Sequence, residues 1–275
     1  MNNQHIKNTT DKQRSKNAFL TSAKKVSQLS SNQTKTVRGL TKLDEVAQTK
    51  NFLDKAINLA KETVSSNHRP PALTKTSWLY QLTGQYEQCR FYPPLIKEAA
   101  RRFKQEGHII LATWAMEKDK EERGHHLLAL KDFEELGGKP EVLKEVFPPT
   151  AKALREHLNS IVKGPSPIGV VGYSYTLERL SVCVGEDYIK KVEALLPPGI
   201  HATRCLRVHS SLGADVKHLE ETTRMIASLT SEERNRIAIA CYETALLCFS
   251  PPKEGYISDE QIQELLEPQK LRTSL

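Results

Sequence analysis

No stretch of this 275-residue chain approaches the roughly 18 consecutive apolar residues that a bilayer-crossing helix needs, and the mean hydropathy is -0.50 with 27% charged residues. An integral membrane protein is therefore excluded as a reading, and a cytoplasmic protein is expected. The five cysteines, Cys89, Cys183, Cys205, Cys241 and Cys248, form no CxxC pair and no zinc-like spacing. That argues against a disulfide framework or a structural zinc cage and for reduced, mostly buried thiols. Alternating apolar and polar residues of strand-like length are missing as well, and no internal repeat is present.

Acidic residues are nearly absent from the first 40 positions, which hold eight Lys or Arg against Asp11 alone. This excess of seven equals the formal net charge of the whole chain, +7, and leaves 32 basic and 32 acidic residues elsewhere. The basic balance belongs to the leader, so neither nucleic acid nor a membrane surface is expected as a partner. The leader is rich in Asn, Gln, Ser, Thr and Lys with Phe19 as its one aromatic, too little apolar surface to fold alone. Residues 1–38 are read as a disordered basic tail and 39–275 as one helical domain, long enough to enclose a substantial core.

What is present is helical periodicity, punctuated by prolines at 70–71, 93–94, 148–149, 165 and 167, 197–198 and 251–252. Because proline interrupts a helix interior, these divide the chain into helices over 42–65, 73–90, 94–137, 149–162, 168–195, 201–229, 232–249 and 259–266. Gly137 and Gly138 supply a helix stop, and Thr230 with Glu233 a capping box. The fold class is all-α.

Three helices carry polar residues on apolar faces. Stepping 100° per residue, Leu111, Ala115, Ala129, Phe133 and Leu136 fall within about 40° of Glu122, and His125 about 60° away. Lys118 shares that stripe. Glu178 lies among Val171, Ser174, Ser181, Val182 and Gly185, with Tyr175 beside it. Asp215 and His218 share a face with Val208, Leu212, Leu219, Ile226 and Leu229. An isolated buried carboxylate is strongly disfavoured unless paired or metal-bound, and inward Glu-x-x-His is a unit that di-iron bundles use. Carboxylate and imidazole together suit iron or manganese.

At these residues the chain resembles the heme-oxygenase-like di-iron oxidases and oxygenases, over about residues 73–250. The segment EERGHHLLALKDFEELGG at 121–138 is similar to the family's second core helix, IGVVGYSYTLERL at 168–180 to its GY-x-Y-x-x-E segment, and RVHSSLGADVKH at 207–218 to its His-x-x-x-Asp-x-x-His segment. The resemblance implies a single heme-oxygenase-like helical bundle binding two ferrous ions, Fe(II), one at Glu122, His125 and His209, the other at Glu178, Asp215, His218 and Glu87. Glu87 stands for a family glutamate about 36 residues before the histidine of the second core helix; it lies 38 before His125.

One departure concerns His209, which five residues rather than three separate from Asp215. On a regular helix that turns it about 120° away and puts Ser211 where the histidine belongs, so either a bulge or break near Gly213 swings His209 inward or the site has lost a ligand; the first is expected. His108, His126 and His201 match no ligand position. The implied activity is oxidation of a small organic substrate with dioxygen as co-substrate, by N-oxygenation, C–C cleavage or desaturation, with Tyr175 and Arg204 as candidate substrate contacts. An electron donor and a homodimeric partner are open. The alternatives are a metal-free enzyme of the thiaminase II or pyrroloquinoline quinone synthase type and a non-catalytic helical binding module.

Overall fold

The computed structural model describes residue 21 and residues 24–28, 42–64, 72–210, 215–250, 254 and 256–267. Eleven helices are numbered here: α1 (Lys42–Thr63), α2 (Lys75–Gln105), α3 (Ile109–Glu122), α4 (His125–Glu135), α5 (Pro149–Lys163), α6 (Gly169–Ser181), α7 (Glu186–Glu193), α8 (Arg204–Val208), α9 (Asp215–Ala227), α10 (Ser231–Phe249) and α11 (Asp259–Leu266), with a 3-10 turn over Pro140–Lys144. Among the described residues there is no strand. Residues 24–28, inside the stretch expected to be a tail, are helical, with Val26 in the core. The rest of residues 1–41 lies outside the described residues, apart from helical Thr21.

The two longest expected helices are redrawn by local chemistry. Capped by a reciprocal Thr74–Ser77 box, α2 continues through Pro93 and Pro94 for 31 residues. Each proline removes one helical hydrogen bond, but Phe91, Pro93, Ile96, Ala99 and Phe103 are all buried there, and that burial against neighbouring helices outweighs the lost bonds. Conversely, the helix expected over 94–137 is interrupted twice, at Gly107 (φ 79°) and Gly124 (φ 97°). Both glycines adopt left-handed backbone that other residues rarely accept. Glu122 therefore ends one helix and His125 begins the next, and the single apolar stripe expected to carry both does not exist.

α2 packs against α3, α4 and α5, while α10 packs against α1 and α6, and α9 joins α6 to α1. The main core lies between these layers and includes Leu53, Ala56, Ile96, Phe103, Leu111 and Tyr173. A smaller one around Trp78, Leu82, Phe133 and Val192 sits at the other end of α2.

Gly172 lets α6 and α10 approach closely: a Cβ there would stand 2.3 Å from the Ile237 carbonyl oxygen and 2.9 Å from the Ala240 Cβ. Gly172→Ala must push the helices apart and is expected to cost about 2 kcal/mol, read as a lower denaturant midpoint.

His157 on α5 is partly buried, its Nε2 without a hydrogen-bond partner among the described residues. Burial pushes its pKa down to about 4 from 6.5. The unfolded chain therefore takes up a proton that the folded one refuses, so stability is complete above the unfolded value and is lost as pH falls toward about 4. Between about pH 7 and pH 5 the loss from this residue is about 2 kcal/mol. His157→Leu should flatten that limb in denaturation at the two pH values; an unchanged slope would exclude His157 as its source.

Candidate metal-binding site and cavity

The turn at Gly124 brings the last residue of α3 against the first of α4, so that His125 Nδ1 lies 2.9 Å from Glu122 Oε2. The third member comes from the end of α8. His209 follows Val208 as the helix terminates, and its Nε2 lies 3.9 Å from Glu122 Oε2, its Nδ1 3.6 Å from Asp215 Oδ2. The rings of His125 and His209 meet edge to face at 4.8 Å. One donor atom from each of Glu122, His125 and His209 falls within 4.8 Å of the others. The expected continuous helix over 201–229 is thus interrupted between Val208 and Asp215. Ser211 and Gly213, where the displaced histidine and the break were expected, lie outside the described residues.

A second acidic group adjoins the first. Glu178 on α6 and Asp215, the first residue of α9, are both buried. His218, one turn on, places Nδ1 3.9 Å from Asp215 Oδ1 and Nε2 3.5 Å from Glu121 Oε2. Into this group α3 sends Lys118, 3% exposed, whose Nζ is ion-paired with Glu178 Oε1 at 2.9 Å and Glu121 Oε2 at 3.0 Å. Glu178 Oε2, Asp215 Oδ2 and His218 Nδ1 are buried without a hydrogen-bond partner among the described residues.

Electrostatics follow from this crowding. Burial pushes the Glu178 carboxyl up to about 7 even though Lys118 opposes it. At Glu122 burial acts the same way, but the His125 hydrogen bond and the charge of His209 outweigh it and hold the carboxyl below its ordinary value. Burial disfavours a charged His209, yet Asp215, Cys89 and Glu122 around it raise its pKa well above 6.5. Without a metal, the imidazolium balances these anions.

The wall opposite is α2. Gln88, Cys89 and Tyr92 line a cavity of about 180 Å³ together with Tyr173, Leu177 and Glu178. Tyr92 Oη and Ser174 Oγ share a 2.6 Å hydrogen bond, and the Tyr92 and Tyr173 rings stack 6.3 Å apart. Cys89 Sγ is 4.0 Å from His209 Nε2. The neighbouring thiol of Cys205 pulls the Cys89 thiol down while its own is pushed up.

Three expected site residues are elsewhere. Glu87 is fully buried but lies 200° round α2 from Cys89. Both its oxygens are taken, one by Arg90 at 2.7 Å and the other by Arg155 of α5, so the structure pairs it with arginines and does not bring it to the Glu122 group. Tyr175 donates its hydroxyl to Asp54 on α1 at 3.0 Å, away from the cavity. Arg204 is held by Asp132 at 2.8 Å and Glu135 at 2.7 Å, clamping α8 to α4. Sequence reasoning missed Cys89 and Cys205. Cys89 stands 36 residues before His125, which is the spacing of the family glutamate, so spacing points to Cys89 where residue type points to Glu87.

These features define an all-helical protein with a buried carboxylate and imidazole centre beside a cavity. The fold is the heme-oxygenase-like one: a solved structure from Shewanella denitrificans OS217, described as a domain of unknown function with a heme oxygenase-like fold, matches with a TM-score of 0.53 at 18% identity, over 84% of this chain and 93% of that one. No family model matches the chain, and no curated protein does. Among the described residues no helix is long and apolar enough to cross a membrane.

Proposed function

We propose that this chain is a non-heme iron enzyme that uses dioxygen to oxidise a small organic molecule held in the cavity between α2 and α6. The observation that carries the reading is the convergence of Glu122, His125 and His209, one carboxylate and two imidazoles, two of which, Glu122 and His209, line the cavity. Such a donor set suits ferrous iron and leaves coordination positions open. Iron bound there would supply the redox chemistry with dioxygen.

The chain's own residues do the rest. Tyr92, Tyr173 and Leu177 give the substrate an apolar wall, and Glu178 Oε2 and Asp215 Oδ2 accept its N–H or O–H groups. The fit is good at Glu122, whose Oε2 already lies 2.9 Å from a ring nitrogen of His125, so that both can turn a lone pair to one cation. Glu178, Asp215 and His218 are the donors to which the dinuclear expectation assigns a second ion.

Anaerobic loading with ferrous iron, followed by metal analysis and absorbance on adding dioxygen, tests this. Bound iron, lost in Glu122→Ala and accompanied by an oxygen-dependent visible band, is expected. Protein that takes up no iron would exclude the reading.

A second reading has its own observation. Cys89, His209 and Asp215 lie in line, sulfur to Nε2 at 4.0 Å and Nδ1 to carboxylate at 3.6 Å, an arrangement that suits a thiol nucleophile in a metal-free enzyme. Absent iron uptake together with loss of turnover in Cys89→Ser would favour it.

A further inference from the structure

The stripe of α3 that ends in Glu122 carries, one turn earlier, the buried Lys118. A lysine ammonium is a compact charge on a long stem, seldom buried without a partner. Here it enters the acidic group and stands 2.9 Å from the one Glu178 oxygen that it neutralises. Glu121, on the next turn of the same helix, holds it from the other side at 3.0 Å.

We propose that the Lys118 ammonium is the resident second cation of this centre, so that the protein takes one metal ion, at Glu122, His125 and His209, and none at Glu178, Asp215 and His218. The inference rests on the non-heme iron reading and narrows it.

Two independent observations support it. Among the described residues, Glu122, His125 and His209 converge within 4.8 Å, whereas Glu178, Asp215 and His218 form no such group. Glu178 and Asp215 line the cavity, whereas His218 lines a separate hollow between α3 and α9. Charge balance agrees: a divalent ion on Glu178 would face the ammonium at close range in a region where little water screens the repulsion. Nor can Lys118 swing out at small cost, because leaving would abandon the buried Glu178 carboxylate and release the partly exposed Glu121 as well.

Lys118 also lines, with Ile109, Ile110, Trp114 and His218, a second hollow between α3 and α9, about 800 Å³ in size. The lysine thus forms part of the partition between that hollow and the cavity. The open oxygens of Glu178 and Asp215 remain available to substrate or water instead of a metal.

The test is iron per chain, measured by metal analysis and native mass spectrometry after anaerobic ferrous loading and removal of excess. The wild-type chain is expected to hold one ion, to lose it in His125→Ala and to keep it in Glu178→Gln. Lys118→Glu, which replaces the ammonium with a ligand, should raise the count to two, and Lys118→Met should admit a second, weaker ion.

Two ions in the wild type would overturn the inference while leaving the iron reading intact, whereas none would overturn both. A count that stays at one in both Lys118 variants, each shown folded by circular dichroism, would also overturn the inference. Should neither variant fold, Glu178→Gln still decides: retention of the single ion supports it and loss overturns it.

Discussion

His209→Ala should lower ferrous affinity by at least about 100-fold, since even a residue that only orients a metal ligand is worth 10 to 100-fold and this side chain would be a ligand itself. The residue draws two elements together. It ends α8, yet its Nε2 faces Glu122 of α3 and its Nδ1 faces Asp215 of α9. Alanine would leave Glu122 and His125 as a pair, too few donors to hold ferrous iron against a chelator. The fold should survive, because the side chain is partly exposed and contributes little apolar packing. Competition with a ferrous chelator measures the change, with His126→Ala as control: His126 packs edge to face on Tyr86. Equal losses in the two variants would refute a specific role for His209.

Asp132→Ala should be the most destabilising of the substitutions considered, by about 4 kcal/mol. Asp132 is wholly buried; one oxygen accepts from Arg204 at 2.8 Å and the other from the backbone N–H of Cys205 at 3.0 Å. A hydrogen bond to a charged group is worth about 1.5 to 3 kcal/mol, and a buried donor left unpaired costs about 1 to 3 more. The substitution removes two of the former and creates one of the latter. Because Asp132 fixes the start of α8, it also sets where that helix ends, and hence where His209 stands. Chemical denaturation should show the loss of stability. Iron loading should weaken in parallel even under conditions where the variant remains folded; unaltered iron loading would show that α8 is placed by other contacts.

The fold class was legible because apolar residues recur with helical period almost everywhere, and the capping box at Thr230 survives in the structure. Boundaries were less so, for opposite reasons. Pro93 and Pro94 are strong local breakers, yet the apolar surface that α2 buries overrides them, a tertiary effect that no local rule contains. Gly124 is a weak local signal, since glycine is tolerated within helices, and its left-handed backbone appears only in three dimensions.

The inward direction of Glu122, Glu178, Asp215 and His218 could be read from their apolar neighbours. For Tyr175 and Arg204 the same logic stops short: periodicity says that a side chain is inward but not which neighbour it meets. For Tyr175 that neighbour is Asp54, for Arg204 it is Asp132, both from helices remote in sequence.

The interruption between α8 and α9 bears on the order of events after synthesis. His209 meets Cys89 across 120 positions of chain, and Glu122 and His125 lie between them, more than 80 residues before His209. These groups cannot gather in a nascent or partly collapsed chain, because closing so long a loop must first be offset by the helix packing that surrounds it. Ferrous iron therefore has no foothold until α8 has docked. It cannot seed folding and instead enters a finished protein, acting as a brake on its opening: iron should slow unfolding markedly and leave the refolding rate untouched.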